Sequence, residues 1–293
     1  MTHMDVEIAS QPPLWRKAAD LAADGGDALP RPGQRVAVIG CGTSLYMAQT
    51  YAALREAAGQ GETDAFPASE LPARRYDAVV ALTRSGATTE VVDLLTRLRG
   101  TVPTTVLTTD PDTPVMGVAD KALVLDFADE RSVVQTRSAS CALVLLRAHL
   151  DHDVDAVVAD GERALADALP AGAAERTQFT FLGSGWTIGL ANEAALKLRE
   201  AALAWAESYP GMEYRHGPMS ISDERSVVWA LGTPPRGLPG EVRRTGALWV
   251  ESARDPLAEL IRVQRLAVAL AARDGLDPDR PRNLTRSIIL DRS

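Results

Sequence analysis

The sequence predicts an α/β fold of two tandem halves, each with a parallel sheet covered by helices on both faces. A turn motif occurs twice, as RVAVIGCGTSL at 35–45 and as QFTFLGSGWTI at 178–188, and the corresponding glycines lie 143 residues apart. Short strands that are apolar throughout alternate with helical stretches around both copies, the pattern of buried parallel sheets. A period of this length indicates a duplicated domain rather than a solenoid of short repeats.

Each copy of the motif is followed by further strand-like and helical runs. The predicted strands lie at 78–82, 104–108 and 122–127 in the first half and at 227–231 and 247–251 in the second. Apolar residues at helical spacing predict a connecting helix that ends before Pro170, and a second helix runs from Asp255 to about Ala272. The predicted parts are an N-terminal arm (1–28), a first subdomain (29–152), the connecting helix (153–172), a second subdomain (173–254) and a C-terminal helix and tail (255–293).

Composition narrows the class of protein. The 293 residues are 46% hydrophobic and 24% charged, with a net charge of −8, which argues against disorder and against a broad nucleic-acid-binding surface. The N-terminus has no apolar signal region, and no apolar run approaches the length of a membrane span. Cys41 and Cys141 are far apart and form no metal-ligand spacing. We therefore expect a cytoplasmic protein without nucleic-acid or membrane partners.

Two hydroxyl-rich turns predict a phosphate site. Thr43 and Ser44 follow the first strand, and the segment TRSGATTE (83–90) follows the next. Hydroxyls and free N–H groups at helix N-termini suit a phosphate dianion, and Arg84 adds a charge. The alternative is that these residues only cap helices. A dinucleotide site is a poor match, because Leu45 and Ile188 stand where its third glycine is needed, and there is no P-loop.

A helix in the second half carries a candidate acid–base cluster. Glu193, Lys197 and Glu200 share one face of ANEAALKLREAALAW, whose other residues are largely apolar. The alternative is a solvated salt-bridge face. His216 lies in a loop bounded by glycine and proline (209–218), a setting for proton transfer rather than packing, and no second ligand is spaced with it for a metal.

These segments together resemble the sugar isomerase (SIS) domain family, in particular the isomerase half of glucosamine-6-phosphate synthase and stand-alone deaminases of that family. The resemblance covers nearly the whole chain. It is carried by EIASQP (7–12), GCGTS (40–44), TRSGATTE (83–90), SVVQTRS (132–138), EAALKLRE (193–200), EYRHGP (213–218) and RPRNLTRS (280–287). It implies two flavodoxin-like subdomains in an α-β-α sandwich, and a homodimer with sites at the subunit interface.

The resemblance also implies roles for individual residues. Glu200 would move a proton between C1 and C2, Lys197 would lie near the sugar, and His216 of the partner subunit would assist ring opening. The implied phosphate and substrate contacts are Thr43, Ser44, Thr83, Arg84, Ser85, Thr88, Gln135 and Arg286. The chemistry needs no metal and no cofactor, since a placed base is sufficient.

The sequence departs from the family pattern in three places. About 34 residues precede the first strand and no N-terminal cysteine is present, so we expect no glutaminase activity. Arg286 stands where the synthase has a tail lysine, and arginine does not form a Schiff base or readily lose its proton. The segment between Leu231 and Asp255 is short, which predicts a second sheet trimmed by one strand. The expected activity is deamination of glucosamine 6-phosphate to fructose 6-phosphate; alternatives are a fructosamine-phosphate deglycase, another aldose–ketose isomerase and a non-catalytic sugar-phosphate sensor.

Overall fold

The chain forms two compact α/β units in a computed structural model that describes residues 1–291. One unit contains Pro13–Glu130, Gln135–Val154 and the residues from Thr285 onward. The other contains Met1–Pro12, Arg131–Val134 and Asp155–Leu284. Each unit has its own sheet, so we call them the five-stranded unit and the four-stranded unit.

Helices and strands alternate along both halves of the chain. The helices are α1 (His3–Ala9), α2 (Gln11–Asp24), α3 (Thr43–Ala57), α4 (Thr89–Leu98), α5 (Arg137–His149), α6 (Val154–Ala166), α7 (Thr187–Ala202), α8 (Leu238–Arg244) and α9 (Pro256–Arg273). The strands are β1 (Val36–Gly40), β2 (Thr63–Pro67), β3 (Ala78–Leu82), β4 (Thr104–Thr108), β5 (Lys121–Val124), β6 (Gln178–Gly183), β7 (Trp205–Pro210), β8 (Ser226–Ala230) and β9 (Leu248–Val250).

The five-stranded sheet is parallel throughout, with the strand order β2-β1-β3-β4-β5. Its central strands are almost entirely buried because helices cover both faces, and Val36, Ala37, Val38 and Ile39 of β1 have no exposed surface. In such a sheet the carboxyl ends of the strands form the usual ligand edge.

The four-stranded sheet repeats this topology with the order β7-β6-β8-β9, and all its pairs are parallel. Within residues 1–291 it has no counterpart of β5, so the second sheet has one strand fewer than the first. The predicted fold class, two α/β halves with parallel sheets, is confirmed. Helix α9 packs against α7 in this unit, and the Asp255 carboxylate caps it by accepting a hydrogen bond from the Leu257 N–H at 2.9 Å.

The sequence predicts the central strands accurately but misses one edge strand of each sheet. The predicted strands at 78–82 and 104–108 coincide with β3 and β4, whereas β2 and β7 were not predicted. Both are edge strands with partly exposed residues and a terminal proline, so neither has the apolar run that marks a buried strand. The predicted strand at 122–127 is wrong in its last residues, because a 3-10 helix begins at Asp126.

Candidate functional site

The two Gly-x-Gly turns have the same construction. A Cβ on Gly40 would lie 2.6 Å from the Ser44 carbonyl carbon, and one on Gly183 would lie 2.3 Å from the Thr187 carbonyl oxygen. The second glycine has a φ of 55° in the first turn and 56° in its counterpart. Only glycine permits this close approach and this backbone conformation, so both turns start a helix directly against the end of the central strand.

The hydroxyls of the two turns are used differently. In the second turn, the Thr187 hydroxyl accepts a hydrogen bond from the Ser184 N–H at 2.8 Å and donates one to the Ser184 carbonyl at 3.1 Å. In the first turn, Ser44 instead lines a small cavity at the carboxyl ends of β1 and β3. Both copies of the turn line a cavity, since Ser184 and Thr187 border a second one of about 690 Å³ in the four-stranded unit. The Thr187 hydroxyl is engaged by the backbone of its own turn.

Most of the residues predicted to bind phosphate lie together in the wall of this cavity, which we call the hydroxyl cavity. They are Ser44, Thr83, Arg84, Ser85, Thr88, Gln135 and Arg286. Thr43 is the remaining predicted residue. It is the buried first residue of α3, and within residues 1–291 it is not part of this wall.

Thr88 distinguishes the ligand hypothesis from the capping hypothesis. It is the N-cap of α4 with an extended backbone, yet its side chain makes no capping hydrogen bond. Nearby, Ser85 Oγ accepts a long hydrogen bond of 3.4 Å from the Ala87 N–H. The Thr88 side chain is thus not used to cap its helix, and Thr88 lines the cavity at the start of α4.

Arg84 brings a buried charge to the cavity wall. Only 5% of the residue is exposed. Its Nη1 lies 3.5 Å from Glu130 Oε2, and its Nη2 donates to the Arg286 carbonyl at 3.3 Å. Burial lowers the pKa of the Arg84 guanidinium, and the charge of Glu130 opposes that shift. Arginine stays protonated at neutral pH, so the cavity has a cationic side.

The C-terminal tail contributes to the same cavity. The Arg286 guanidinium forms an ion pair with Asp129 and donates a hydrogen bond to the Glu130 carbonyl. Beyond it, the Ile288 carbonyl accepts a hydrogen bond from the Thr89 N–H at 3.1 Å. The tail therefore crosses the start of α4, and Arg286 takes the place in the cavity wall that the sequence predicted for a tail residue.

Cys41 also lines the hydroxyl cavity but is not a nucleophile there. Burial, with a smaller contribution from Glu90, raises the pKa of its thiol to about 11. A thiol with this pKa is protonated at neutral pH, and the thiolate is the reactive form.

The predicted acid–base cluster is present on α7 in the four-stranded unit. Lys197 is fully buried, and its Nζ lies 2.6 Å from Glu200 Oε2 and 3.2 Å from Glu193 Oε1. The Glu193 side chain is 2% exposed, whereas that of Glu200 is 16% exposed. The cluster is therefore not a solvated salt-bridge face, and Glu200 is the carboxylate that a ligand can reach most directly.

The protonation state of Lys197 follows from its two neighbours. Burial alone would lower the pKa of its ammonium, but the charges of Glu193 and Glu200 outweigh burial and raise it. Lys197 is consequently a cation at neutral pH and cannot act as a base. Its chemistry is to hold Glu200 in place and to present a positive charge beside it.

His216 lies on an exposed loop of the four-stranded unit, directly after the 3-10 helix Glu213–Arg215. The neighbouring Arg215 anchors this loop through two hydrogen bonds to the Glu241 carboxylate, at 2.7 and 2.9 Å. The loop is shorter than predicted, because Tyr209 and Pro210 are the last residues of β7.

The predicted site residues fall into two groups, each described within its own unit. The phosphate residues belong to the five-stranded unit, and Glu193, Lys197, Glu200 and His216 belong to the four-stranded unit. Sequence reasoning did not single out Asp129 and Glu130, which pair with Arg286 and Arg84. The only signal was an acidic pair shortly before the SVVQTRS segment, and most acidic pairs are surface residues.

Comparisons with known proteins identify the fold family. No family model matches the chain. The glutamine–fructose-6-phosphate aminotransferase (isomerizing) of Nostoc is 31% identical over 199 residues, which cover 58% of this chain and 31% of that relative. Among solved structures, glucosamine-6-phosphate deaminase from Thermotoga maritima superposes with a TM-score of 0.81 at 22% identity, covering 99% of this chain and 100% of that one. The chain therefore shares the fold of these sugar isomerase (SIS) domain proteins over nearly its whole length.

Solved structures with this fold are named for more than one reaction. Tagatose-6-phosphate ketose/aldose isomerase from Escherichia coli also superposes, with a TM-score of 0.77, 18% identity and 97% coverage of both chains. The curated aminotransferases are longer, and the chain spans no more than about half of their length. None of the described helices is long and apolar enough to cross a membrane.

Proposed function

We propose that this SIS protein converts glucosamine 6-phosphate and water into fructose 6-phosphate and ammonia. The observation that carries the proposal is the Glu200 carboxylate, partly exposed and held 2.6 Å from the buried cation of Lys197. Proton transfer between adjacent carbons of a sugar requires one such positioned carboxylate. The similarity to the Thermotoga deaminase over nearly the whole chain supports deamination in particular.

The hydroxyl cavity binds the 6-phosphate in this proposal. Ser44, Thr83, Ser85 and Thr88 supply neutral donors, and the start of α4 supplies the positive end of a helix dipole. Arg84 and Gln135 complete the wall. A site of this kind favours a phosphate dianion without making the acidic protein a general anion binder.

Glu200 carries out the proton transfer on the open-chain sugar. Its carboxylate removes the proton from C2, the resulting electron pair forms the C1–C2 double bond of an enolamine, and the C1 oxygen is protonated. Return of a proton to C1 gives an imine at C2. Water then adds to C2, the C–N bond breaks, and ammonia leaves as fructose 6-phosphate forms. The Lys197 cation, 2.6 Å from Glu200 Oε2, holds the Glu200 side chain in position during these transfers.

His216 opens the sugar ring in this proposal, and it reaches the site from a second copy of the chain. Its exposure on the anchored loop supports a role toward another molecule rather than a core role. Imidazole titrates near neutral pH, which suits proton transfer to and from ring oxygen and anomeric hydroxyl. Sedimentation of the full chain tests the homodimer, and a monomeric active enzyme contradicts this part of the proposal.

Ammonia release from glucosamine 6-phosphate tests the activity. We expect turnover by the wild type, with fructose 6-phosphate formed in equal amount, and a loss on the order of 10²-fold or more in Glu200→Gln. Glu162→Gln is the matched control, since Glu162 is an exposed residue of α6 in the same unit. Equal turnover by the wild type and Glu200→Gln contradicts the role of Glu200.

A second candidate is aldose–ketose isomerisation without loss of nitrogen, which the similarity to the Escherichia coli isomerase supports. A panel of phosphorylated aldoses, amino sugars and fructosamine phosphates separates the possibilities. Ammonia release indicates the deaminase, release of an amino acid indicates a deglycase, and interconversion alone indicates an isomerase. Binding without turnover of any panel member indicates a sensor.

A further inference from the structure

Glu130 is a buried carboxylate that no catalytic role accounts for. Its side chain has no exposed surface. Oε1 accepts hydrogen bonds from the Thr136 N–H at 2.6 Å, the Thr136 hydroxyl at 2.8 Å and the Arg137 N–H at 2.8 Å. One oxygen of Glu130 is therefore committed to capping the N-terminus of α5.

The second oxygen faces the cation of the hydroxyl cavity. Glu130 Oε2 accepts a hydrogen bond from the Ser138 hydroxyl and lies 3.5 Å from Arg84 Nη1. This distance is at the outer limit of a hydrogen bond, so Glu130 neutralises Arg84 without holding it in a short contact. Arg84 is in the cavity wall, whereas Glu130, within residues 1–291, is not.

Given the proposed phosphate site, we propose that Glu130 is a specificity-determining residue, an internal counter-ion that competes with the ligand anion for Arg84. Without a bound anion, the Arg84–Glu130 pair has no net charge. Burying such a pair costs far less free energy than burying the Arg84 cation alone. An entering anion must offset the attraction that Arg84 already has to Glu130. A phosphomonoester dianion bound by the surrounding hydroxyls does so, whereas weaker anions do not.

Two simpler roles for Glu130 predict different behaviour. If Glu130 only caps α5, a neutral side chain that keeps the acceptor oxygen leaves anion binding unchanged. If Glu130 only positions Arg84 for the ligand, the same change weakens anion binding. The counter-ion role alone predicts tighter binding, because Arg84 loses its competing partner.

Glu130→Gln tests these roles, with inorganic phosphate and sulfate as probes in calorimetry and thermal-shift titrations. The amide oxygen of glutamine can keep the contacts to Thr136 and Arg137. We expect phosphate and sulfate to bind about tenfold more tightly, the change given by one lost competing contact of ordinary hydrogen-bond strength. We also expect a lower Tm without anion and a larger anion-induced rise in Tm. Unchanged or weaker binding by folded Glu130→Gln overturns the proposal.

Two further variants complete the test. Glu70→Gln removes the same charge from an exposed position of the five-stranded unit and controls for net charge. Arg84→Gln combined with Glu130→Gln removes both charges, and we expect its anion affinity to fall below that of Glu130→Gln alone. If Glu130→Gln does not fold, Glu130→Asp serves instead, because the shorter carboxylate lies farther from Arg84 and predicts a smaller gain in affinity.

Turnover of glucosamine 6-phosphate is measured separately, so the two proposals can fail independently. Tighter anion binding by Glu130→Gln in a protein without turnover supports the counter-ion and contradicts the deaminase. Turnover by the wild type with unchanged anion affinity in Glu130→Gln supports the deaminase and contradicts the counter-ion.

Discussion

The Nζ atom of Lys197 lies 2.6 Å from Glu200 Oε2, although the lysine side chain is fully buried and the glutamate is partly exposed. Glu193 lies on the other side of the ammonium, 3.2 Å away. Two carboxylates thus share one cation, and only one of them has an exposed edge. In the proposed mechanism, this asymmetry assigns proton transfer to Glu200 and a supporting role to Lys197 and Glu193.

Lys197→Met should destabilise the protein and reduce its activity. The substitution keeps the volume but removes the cation that the buried Glu193 and the partly exposed Glu200 share, and breaking a buried pair in this way costs about 3–5 kcal/mol. Unfolding in denaturant measures the loss, and ammonia release measures activity. Lys17→Met, at an exposed position of α2, is the control. Equal stability of the two variants contradicts the inferred energetics.

The stabilisation that the Lys197 cation provides should be lost in the alkaline range. The neighbouring carboxylates raise the pKa of Lys197 in the folded protein above the ordinary value of 10.5, despite its burial. A group with a raised folded pKa contributes fully below its unfolded pKa, and the contribution is lost as the pH rises through the folded pKa. The difference in unfolding free energy between wild type and Lys197→Met should therefore be constant through neutral pH and shrink above about pH 10.5. A difference that shrinks near neutral pH contradicts the raised pKa.

Local patterns explain which parts of this structure were predictable. The apolar strands β1, β3 and β4 are marked by burial on both faces, and the α7 cluster is marked by charges at helical spacing in an apolar helix. The edge strands β2 and β7 lack such a pattern because they are partly exposed. Glu130 acquires its role only through its contact with Arg84, and Asp129 only through its contact with Arg286. Asp129 and Arg286 are more than 150 residues apart in the sequence. No periodicity encodes such pairs.

Gly40→Ala and Gly183→Ala should each destabilise the protein. In both turns the added methyl group would lie under 3 Å from backbone atoms of the following helix, which cannot rotate away as a side chain can. Overpacking of this kind costs about 1–3 kcal/mol. Gly26→Ala is the matched control, because a methyl group added there would have no neighbouring atom within 4 Å and the φ of Gly26 is not in the left-handed region. If the unfolding curves of Gly40→Ala and Gly183→Ala match that of Gly26→Ala, the backbone of the turns can move to accommodate the methyl group, and the prediction is wrong.

Asp129→Asn should weaken the hold of the tail on the hydroxyl cavity, because Arg286 lines the cavity and pairs with Asp129. The pair is partly exposed and is worth less than about 1 kcal/mol, so we expect up to about a fivefold rise in the KM for the phosphosugar with a smaller change in kcat.

The contact between Asp129 and Arg286 should also depend on pH. Burial raises the pKa of Asp129, but hydrogen bonds from Thr109 and Arg286 outweigh burial and lower it. The contact is therefore present above the ordinary value of 3.8 and lost only as the pH falls through the lower folded pKa. Limited proteolysis of the tail across an acid series measures this loss, with Asp126→Asn, a change at an exposed neighbour, as the control. Tail protection that disappears well above pH 3.8 would contradict a role for Asp129 in holding Arg286.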